Sequence, residues 1–387
     1  MILRSAVTEV LARLRSAPVV TLLGARQVGK TTLAQQVAAR WDGEVHHLDL
    51  EDPEELGRLA EPGLALRPLT GLVVLDEVQR LPDLYPLLRV LADRDPLPAR
   101  FLLLGSASPS LVRGVSESLA GRVAFVHLDG FGLDEVGVSD LRPLWLRGGF
   151  PRSMLAENDT ESLRWRLDFI RTFLERDLPQ LGVGIAGVAM RRFWSMLAHH
   201  HGQVLNLSGL GRSLGISDNS VRSYVDVLAG TFVVRVLPPW FENVAKRQVK
   251  RPKAYITDPG LLHALLGLET MVDLERHPIL GASWEGFALG EVIRRLGART
   301  QECFFWGTHA GAELDLLVVR GNRRLGFEFK RSETPRTTRA MHSARTTLKL
   351  DRLDVVHAGS HTFPLGDDTR ALSLHRLLAD LAPLSEQ

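Results

Sequence analysis

The chain has 387 residues, 45% hydrophobic and 24% charged, ordinary for a soluble globular protein of two or three domains. Its 47 Lys and Arg against 45 Asp and Glu leave a formal charge of +2, which excludes a histone-like or acidic-tail protein but not a local basic patch. Cys303 is the single cysteine, so an intrachain disulfide framework and a multi-cysteine zinc site are excluded and a reducing cytoplasm is expected.

No apolar run approaches the 18 or so residues of a membrane span. Val19–Leu23 is too short for a signal segment and leads straight into a glycine loop. The first 150 residues alternate apolar strands with helical stretches. The strands are expected at Val19–Leu23, Val45–Leu50, Leu72–Leu75, Phe101–Leu104 and Val123–Leu128. That alternation indicates an α/β fold with a parallel sheet.

The first strand runs into Gly24-Ala25-Arg26-Gln27-Val28-Gly29-Lys30-Thr31. This fits G-x-x-x-x-G-K-[ST], with a helix from Thr31 to Arg40 behind it. Glycines let the backbone wrap phosphate oxygens, and backbone N–H groups then meet the anion at a helix N-terminus. Lys30 is expected on the β- and γ-phosphates and Thr31 on Mg²⁺, with Thr32 beside it. The expected cofactors are ATP and Mg²⁺. The strand at Leu72–Leu75 ends in Asp76-Glu77, at the carboxyl edge where open α/β sheets bind ligands. Asp76 would hold Mg²⁺ and Glu77 would orient and polarise the attacking water. Ser106, at the tip of the strand Phe101–Leu104, is expected to sense the γ-phosphate or the water. Arg122 is expected to stabilise phosphate charge in a neighbouring subunit, with Arg176 as a weaker choice.

These segments resemble the prokaryotic AAA-type ATPases that carry a C-terminal domain of unknown function. The likeness rests on Gly24 to Thr31, Leu75-Asp76-Glu77-Val78-Gln79-Arg80, Gly105-Ser106 and Leu119-Ala120-Gly121-Arg122. It continues through Gly148-Gly149-Phe150-Pro151, Arg176-Asp177, Lys246-Arg247 and Lys250-x-Pro252-Lys253-x-Tyr255-x-x-Asp258. Leu128-Asp129-Gly130-Phe131-Gly132-Leu133 departs from it, since the family reads closer to Pro-Leu-Ser-Phe before an acidic residue. The resemblance covers nearly the whole chain and implies an ATP-hydrolysing protein.

Past Pro151 the pattern turns helical. Leu163, Leu167, Ile170 and Leu174 follow helical spacing. Leu207 to Leu214, a turn at Gly215-Ile216-Ser217 and Asn219 to Leu228 read as helix, turn, helix, with Ser217 as the cap. Strands near Phe232–Leu237 and Ala254–Ile256 would form the wing of a winged helix. Between them, Lys246 to Lys253 holds five basic residues in eight. Asn219, Arg222, Lys246, Arg247, Lys250, Arg251 and Lys253 are therefore the expected DNA contacts. His199, His200 and His201 are adjacent on a helix and point different ways, so no metal is expected there.

A third composition begins near Pro278. Strands are expected near Phe304, Leu316 and Phe327, and a closing helix over Ala371 to Leu384. A helical Glu285, then Asp315, then Glu328-x-Lys330 resembles the core of the PD-(D/E)xK nucleases, without the Pro. There the acids bind a second Mg²⁺ and the lysine positions the water; a catalytically silent fold of this kind, kept for DNA shape or for packing, is the other reading. From Arg323 to Arg352 nine basic residues face three acidic ones, which favours a polyanion nearby.

The expected organisation is an AAA-type P-loop ATPase core at 1–155, a helical and winged-helix region at 156–275 and a nuclease-like α/β domain at 276–387. The expected function is a DNA-associated ATPase motor or switch, working as a homo-oligomeric ring such as a hexamer, with no membrane partner. Branched or junction DNA follows from fold analogy alone. The alternatives are a nucleotide-gated, antitoxin-like DNA-binding regulator and an ATP-dependent, Mg²⁺-dependent nuclease.

Overall fold

The computed structural model of the chain describes residues 2–105, 109–242 and 248–384. They divide into two compact units: Met1–Phe131 with Gly230–Phe232, and Gly132–Ala229 with Val233–Gln387. The division falls at Phe131–Gly132, and the local bonding beyond it goes with this. The Leu133 N–H donates to Glu291 at 2.9 Å and the Gly149 N–H to Asp258 at 2.7 Å. Residues 132–155 are thereby tied to later parts of the chain.

The first unit is built on β1 (Val19–Leu23), β2 (Val45–Asp49), β3 (Gly71–Asp76), β4 (Ala99–Leu104) and β5 (Val123–His127). All neighbours pair in parallel, in the order β2-β3-β4-β1-β5. Every residue of β1 is buried, as expected of a strand covered on both faces. The outer strand β2 carries His46, His47 and Asp49 and is only partly buried. Leu23, Leu50, Val73, Leu75, Leu88, Phe101 and Leu103 share one core. The five strands expected from the sequence are the five observed, to within two residues at each end. Parallel order puts the residues after β1 and after β3 at the same carboxyl edge.

The second unit opens with helices. Asp159–Thr172 buries Leu163 and Ile170, while Leu167 lies outward at 40% exposure because Arg166 and Phe169 take the inner face. The helices Gly187–His199, Leu207–Leu214 and Asp218–Gly230 follow, with β6 (Gln203–Val204), β7 (Val234–Leu237) and β8 (Lys253–Ile256). These strands form an antiparallel sheet, β6-β8-β7. Ser217 caps as expected: its hydroxyl accepts from the Ser220 N–H at 3.1 Å. The β7–β8 connection is anchored at both ends beside β9 (Cys303–Gly307), where Trp240 N–H donates to Phe305 O at 2.7 Å and Val249 N–H to Gly307 O at 2.9 Å.

The remaining strands are β10 (Glu313–Arg320), β11 (Arg323–Lys330), β12 (Arg352–His357), β13 (Phe363–Gly366) and β14 (Thr369–Ser373). With β9 they make a six-stranded mixed sheet, β13-β14-β12-β11-β10-β9. The helix Leu280–Leu296 precedes it, and Arg339–Leu348 carries the chain from β11 to the parallel β12. The helix expected over Ala371 to Leu384 is absent. Thr369–Ser373 instead pairs with β12, burying Ala371 and Leu372, and only Leu377–Asp380 is α-helical there. Short apolar runs fit strand and helix alike, and pairing with a buried neighbour decided this one.

Candidate functional site

The loop after β1 is shaped by two left-handed residues, Gln27 with φ 61° and Gly29 with φ 101°. A Cβ at Gly24 would lie 2.2 Å from the Leu128 carbonyl oxygen, so only glycine fits there. Lys30 and Thr31 begin the helix Lys30–Ala38. The Lys30 side chain folds back over the loop and is 8% exposed. Its ammonium donates to Gly24 O at 3.0 Å and Ala25 O at 2.9 Å. Burial pushes the Lys30 ammonium down to about 8, against the pull of Glu77 and Asp76.

The Thr31 hydroxyl donates to Asp76 Oδ2 at 2.8 Å. Asp76 is 6% exposed, and burial raises its carboxyl above the usual carboxylate range. Its other oxygen accepts from the Glu77 N–H at 2.9 Å. Glu77 sits at φ 53°, in the left-handed region. Backbone strain of that kind costs about 1–3 kcal/mol and clusters at active sites. The Glu77 carboxylate accepts from Gln79 Nε2.

The structure thus brings together Gly24 to Thr32, Asp76 and Glu77. The donor set fits a magnesium nucleotide: a buried ammonium resting on neutral carbonyls, beside a hydroxyl–carboxylate pair suited to a hard divalent cation. Ser106 lies outside the described residues. Arg122 is elsewhere in the same unit, just before β5. Its carbonyl accepts from the Val19 N–H at 3.2 Å, at the opening edge of β1. The five residues of β1, at about 3.3 Å each, put roughly 16 Å between it and the loop. Its guanidinium grips Asp93 at 2.6 and 2.8 Å.

In the second unit Asn219 and Arg222 are exposed on the helix Asp218–Gly230, as are Lys250 and Arg251 before β8. Lys246 and Arg247 lie outside the described residues. Lys253 corrects its assignment as a DNA contact. It is 3% exposed, and its ammonium faces carboxylates. Glu285 Oε1 is 3.4 Å away, Asp315 Oδ1 3.6 Å, and Glu313 is closest of all. Tyr255 donates to Glu285 Oε1 at 2.7 Å, and Lys330 pairs with Glu328 at 3.1 Å.

Asp315, Glu328, Glu285 and Lys330 are therefore gathered as the sequence suggested. Lys253, Tyr255 and Glu313 join them unforeseen. Glu313 and Asp315 alternate along β10, and Lys253 and Tyr255 along β8, so each pair shares a strand face. That two-residue spacing was the available signal. Burial alone would lower the Lys253 ammonium, but the charges of Glu285, Asp315 and Glu313 hold it above the ordinary lysine value. Burial, with the charge of Asp315, raises Glu285 to about 7 and Glu328 to about 8. The expected second Mg²⁺ does not fit this arrangement, because an ammonium stands among the acids. Among the described residues no three His, Cys, Asp or Glu side chains are grouped to hold a metal ion.

The adjacent histidines are separately employed. His200 Nδ1 bonds Met196 O at 2.9 Å, while His201 is buried and its Nδ1 accepts from the Ile256 N–H at 3.0 Å. Among the described residues no helix is long and apolar enough to cross a membrane.

Residues 16–137 match the family described as AAA domain. Residues 138–272 and 280–377 match two families described as domains of unknown function, DUF8612 and DUF4143. The chain is 49% identical over 375 residues to uncharacterized protein Rv2008c of Mycobacterium tuberculosis, covering 97% of this chain and 84% of that one. It is equally similar to uncharacterized protein Mb2031c of Mycobacterium bovis. Among solved structures it is similar to the Walker-type ATPase paby2304 of Pyrococcus abyssi, at 16% identity and a TM-score of 0.49, over 68% of this chain and 95% of that one. It is also similar to the RuvB Holliday junction branch migration motor of Thermotoga maritima, at 19% identity and a TM-score of 0.30, over 60% and 89%.

Proposed function

The chain belongs to the same family as the mycobacterial proteins Rv2008c and Mb2031c, and from its AAA-type P-loop domain we propose that it is an ATPase coupled to DNA. One observation carries the reading. Thr31 and Asp76 meet at 2.8 Å beside a buried Lys30 ammonium that donates to two loop carbonyls.

Backbone N–H groups of Gln27 to Thr32 and the Lys30 ammonium bind the β- and γ-phosphates. Thr31 and Asp76 would hold Mg²⁺, which when bound would supply charge neutralisation on the phosphate oxygens. Glu77 orients the attacking water, and its left-handed backbone fixes where its carboxylate points. Arg122 is too far from its own chain's loop to serve it. We assign it to the nucleotide of a neighbouring copy in a ring. Glu77→Gln then keeps ATP binding and slows turnover by about 10²-fold. Mixing Glu77→Gln with Arg122→Ala chains should restore part of the activity, since some interfaces pair an intact arginine with an intact site. No recovery at any ratio, in oligomers shown to mix, makes Arg122 structural.

The DNA reading rests on the second unit. Its helix–strand–helix–turn–helix–hairpin order supports a winged-helix reading, with Asn219 and Arg222 exposed on the second helix of the pair and Lys250 and Arg251 near the hairpin. Such a face binds phosphates and base edges. The test is ATP turnover measured with duplex, single-stranded, forked and four-way DNA. Mg²⁺-dependent turnover, raised by at least one of these and absent in Lys30→Ala, is expected. Turnover unaffected by Lys30→Ala would overturn the nucleotide site. Turnover indifferent to every DNA would overturn the coupling.

A further inference from the structure

Four carboxylates meet in the second unit, and each is already answered from within the chain. Glu285 Oε1 takes the Tyr255 hydroxyl at 2.7 Å and faces Lys253 at 3.4 Å. Glu313 pairs with Lys253. Asp315 has Lys253 at 3.6 Å from one oxygen and the Phe329 N–H at 3.1 Å from the other. Glu328 has Lys330 at 3.1 Å. A hard divalent ion at such a centre would need those oxygens within about 2–2.6 Å of it. The Lys253 ammonium sits among Glu285, Glu313 and Asp315, over the Phe305 ring at 5.6 Å, while Glu328 is taken by Lys330.

The backbone of Lys253 is held on both sides. In β8 it is registered against Val204 of β6 and Leu237 of β7. A lysine on a surface loop could swing aside and leave the acids free. Here the backbone is fixed in a three-stranded sheet, and the side chain is 3% exposed with its ammonium among three carboxylates.

We propose that Lys253 is a permanent internal cation at this centre, standing where a divalent metal would otherwise be held by Glu285, Glu313 and Asp315. With Glu328 paired to Lys330 as well, the sheet takes up no metal and does not cut DNA. The same ion pairs fasten β8 to β10 and to the helix Leu280–Leu296, which gives the acids a structural role that survives without catalysis. The proposal does not rest on the nucleotide reading, and its test uses neither ATP nor turnover.

The experiment is Mn²⁺ titration of the full chain without nucleotide, in an Asp76→Asn background that removes the metal ligand at the other centre. Free Mn²⁺ is followed by electron paramagnetic resonance. The chain with Lys253 intact should show no saturable uptake. Lys253→Met should gain one saturable site, and adding Asp315→Asn should remove it again. Saturable uptake with Lys253 in place, abolished by Asp315→Asn, would overturn the proposal. So would a folded Lys253→Met chain that takes up no metal. Should Lys253→Met fail to fold, Lys253→Gln removes the charge while keeping an N–H donor and carries the same two outcomes. Plasmid nicking in Mn²⁺ is the second readout. None is expected from the unmodified chain, and nicking abolished by Asp315→Asn overturns the silence.

Discussion

Two buried lysines, one in each unit, have opposite surroundings. Lys30 donates to two neutral carbonyl oxygens of its own loop, and burial holds its ammonium down at about 8. Lys253 faces three carboxylates, which hold its ammonium above the ordinary value despite its burial. A buried cation costs free energy unless it is paired. At Lys30 the charges of Glu77 and Asp76 offset only part of that cost, so the first centre is built to receive phosphate. At Lys253 the pairing is complete within the chain, so the second centre is closed. The partners of a buried lysine, more than its burial, separate a waiting site from a finished one.

Making the same substitution at both positions gives the largest effects. Lys30→Met should cut ATP turnover by about 10²–10³-fold or more, because it removes a charge aimed at the transferring phosphate. Its effect on unfolding free energy should stay within about 1 kcal/mol, since a costly buried charge leaves with it. Lys253→Met should do the reverse. It strands three carboxylates, and removing one partner of a buried ion pair costs about 3–5 kcal/mol. Urea denaturation and steady-state ATP turnover of the two variants check this. Equal falls in stability would end the comparison.

A smaller effect follows from pH. The charged form of Lys30 holds the phosphates, and bound polyanion raises its proton affinity. Below about pH 8 the free protein already carries that proton, so nucleotide affinity is at its full value. Above pH 8 the proton must be taken up on binding, and affinity falls by up to about tenfold per pH unit. Calorimetry between pH 7 and 9.5 measures the slope and the proton taken up. Lys30→Met should bind weakly with no such slope. A steep slope remaining in that variant would place the titrating group elsewhere.

The two centres were unequally legible. Gly24 to Thr31 is contiguous, and the apolar Val19–Leu23 before it and the helix behind it supply its context, so one strand–loop–helix unit carries most of the site. Asp76 and Glu77 could be joined to it because parallel strands deliver their ends to one edge. The left-handed backbone of Glu77 was invisible, since a non-glycine residue in that region carries no sequence mark. Arg122 was named, but its place at the far edge of β1 depends on which edge the chain returns to before β5. At the second centre Asp315 and Glu328 were found because they lie on neighbouring strands. Lys253 is 32 residues from Glu285 in sequence, and its basic neighbours hid it inside a charge run. Only the turn of β8 into the sheet separates it from Lys250 and Arg251.

That separation supports the finest test. Lys250 and Arg251 are exposed, while Lys253 is buried and paired. Every phosphate that a basic side chain ceases to neutralise takes about 0.9 off the magnitude of the log–log salt slope of DNA binding. Lys250→Ala with Arg251→Ala should therefore lower that slope by up to about 1.8 and weaken binding at low salt. Arg251 also reaches Asn206 Oδ1 at 3.4 Å, an exposed hydrogen bond that contributes little to stability. Lys253→Gln, in chains that remain folded, should leave the slope unchanged, because its ammonium is already neutralised by Glu285, Glu313 and Asp315. A slope that falls in Lys253→Gln as much as in the double variant would mean that DNA draws this lysine out of its carboxylates, and the closed centre would then be an open one.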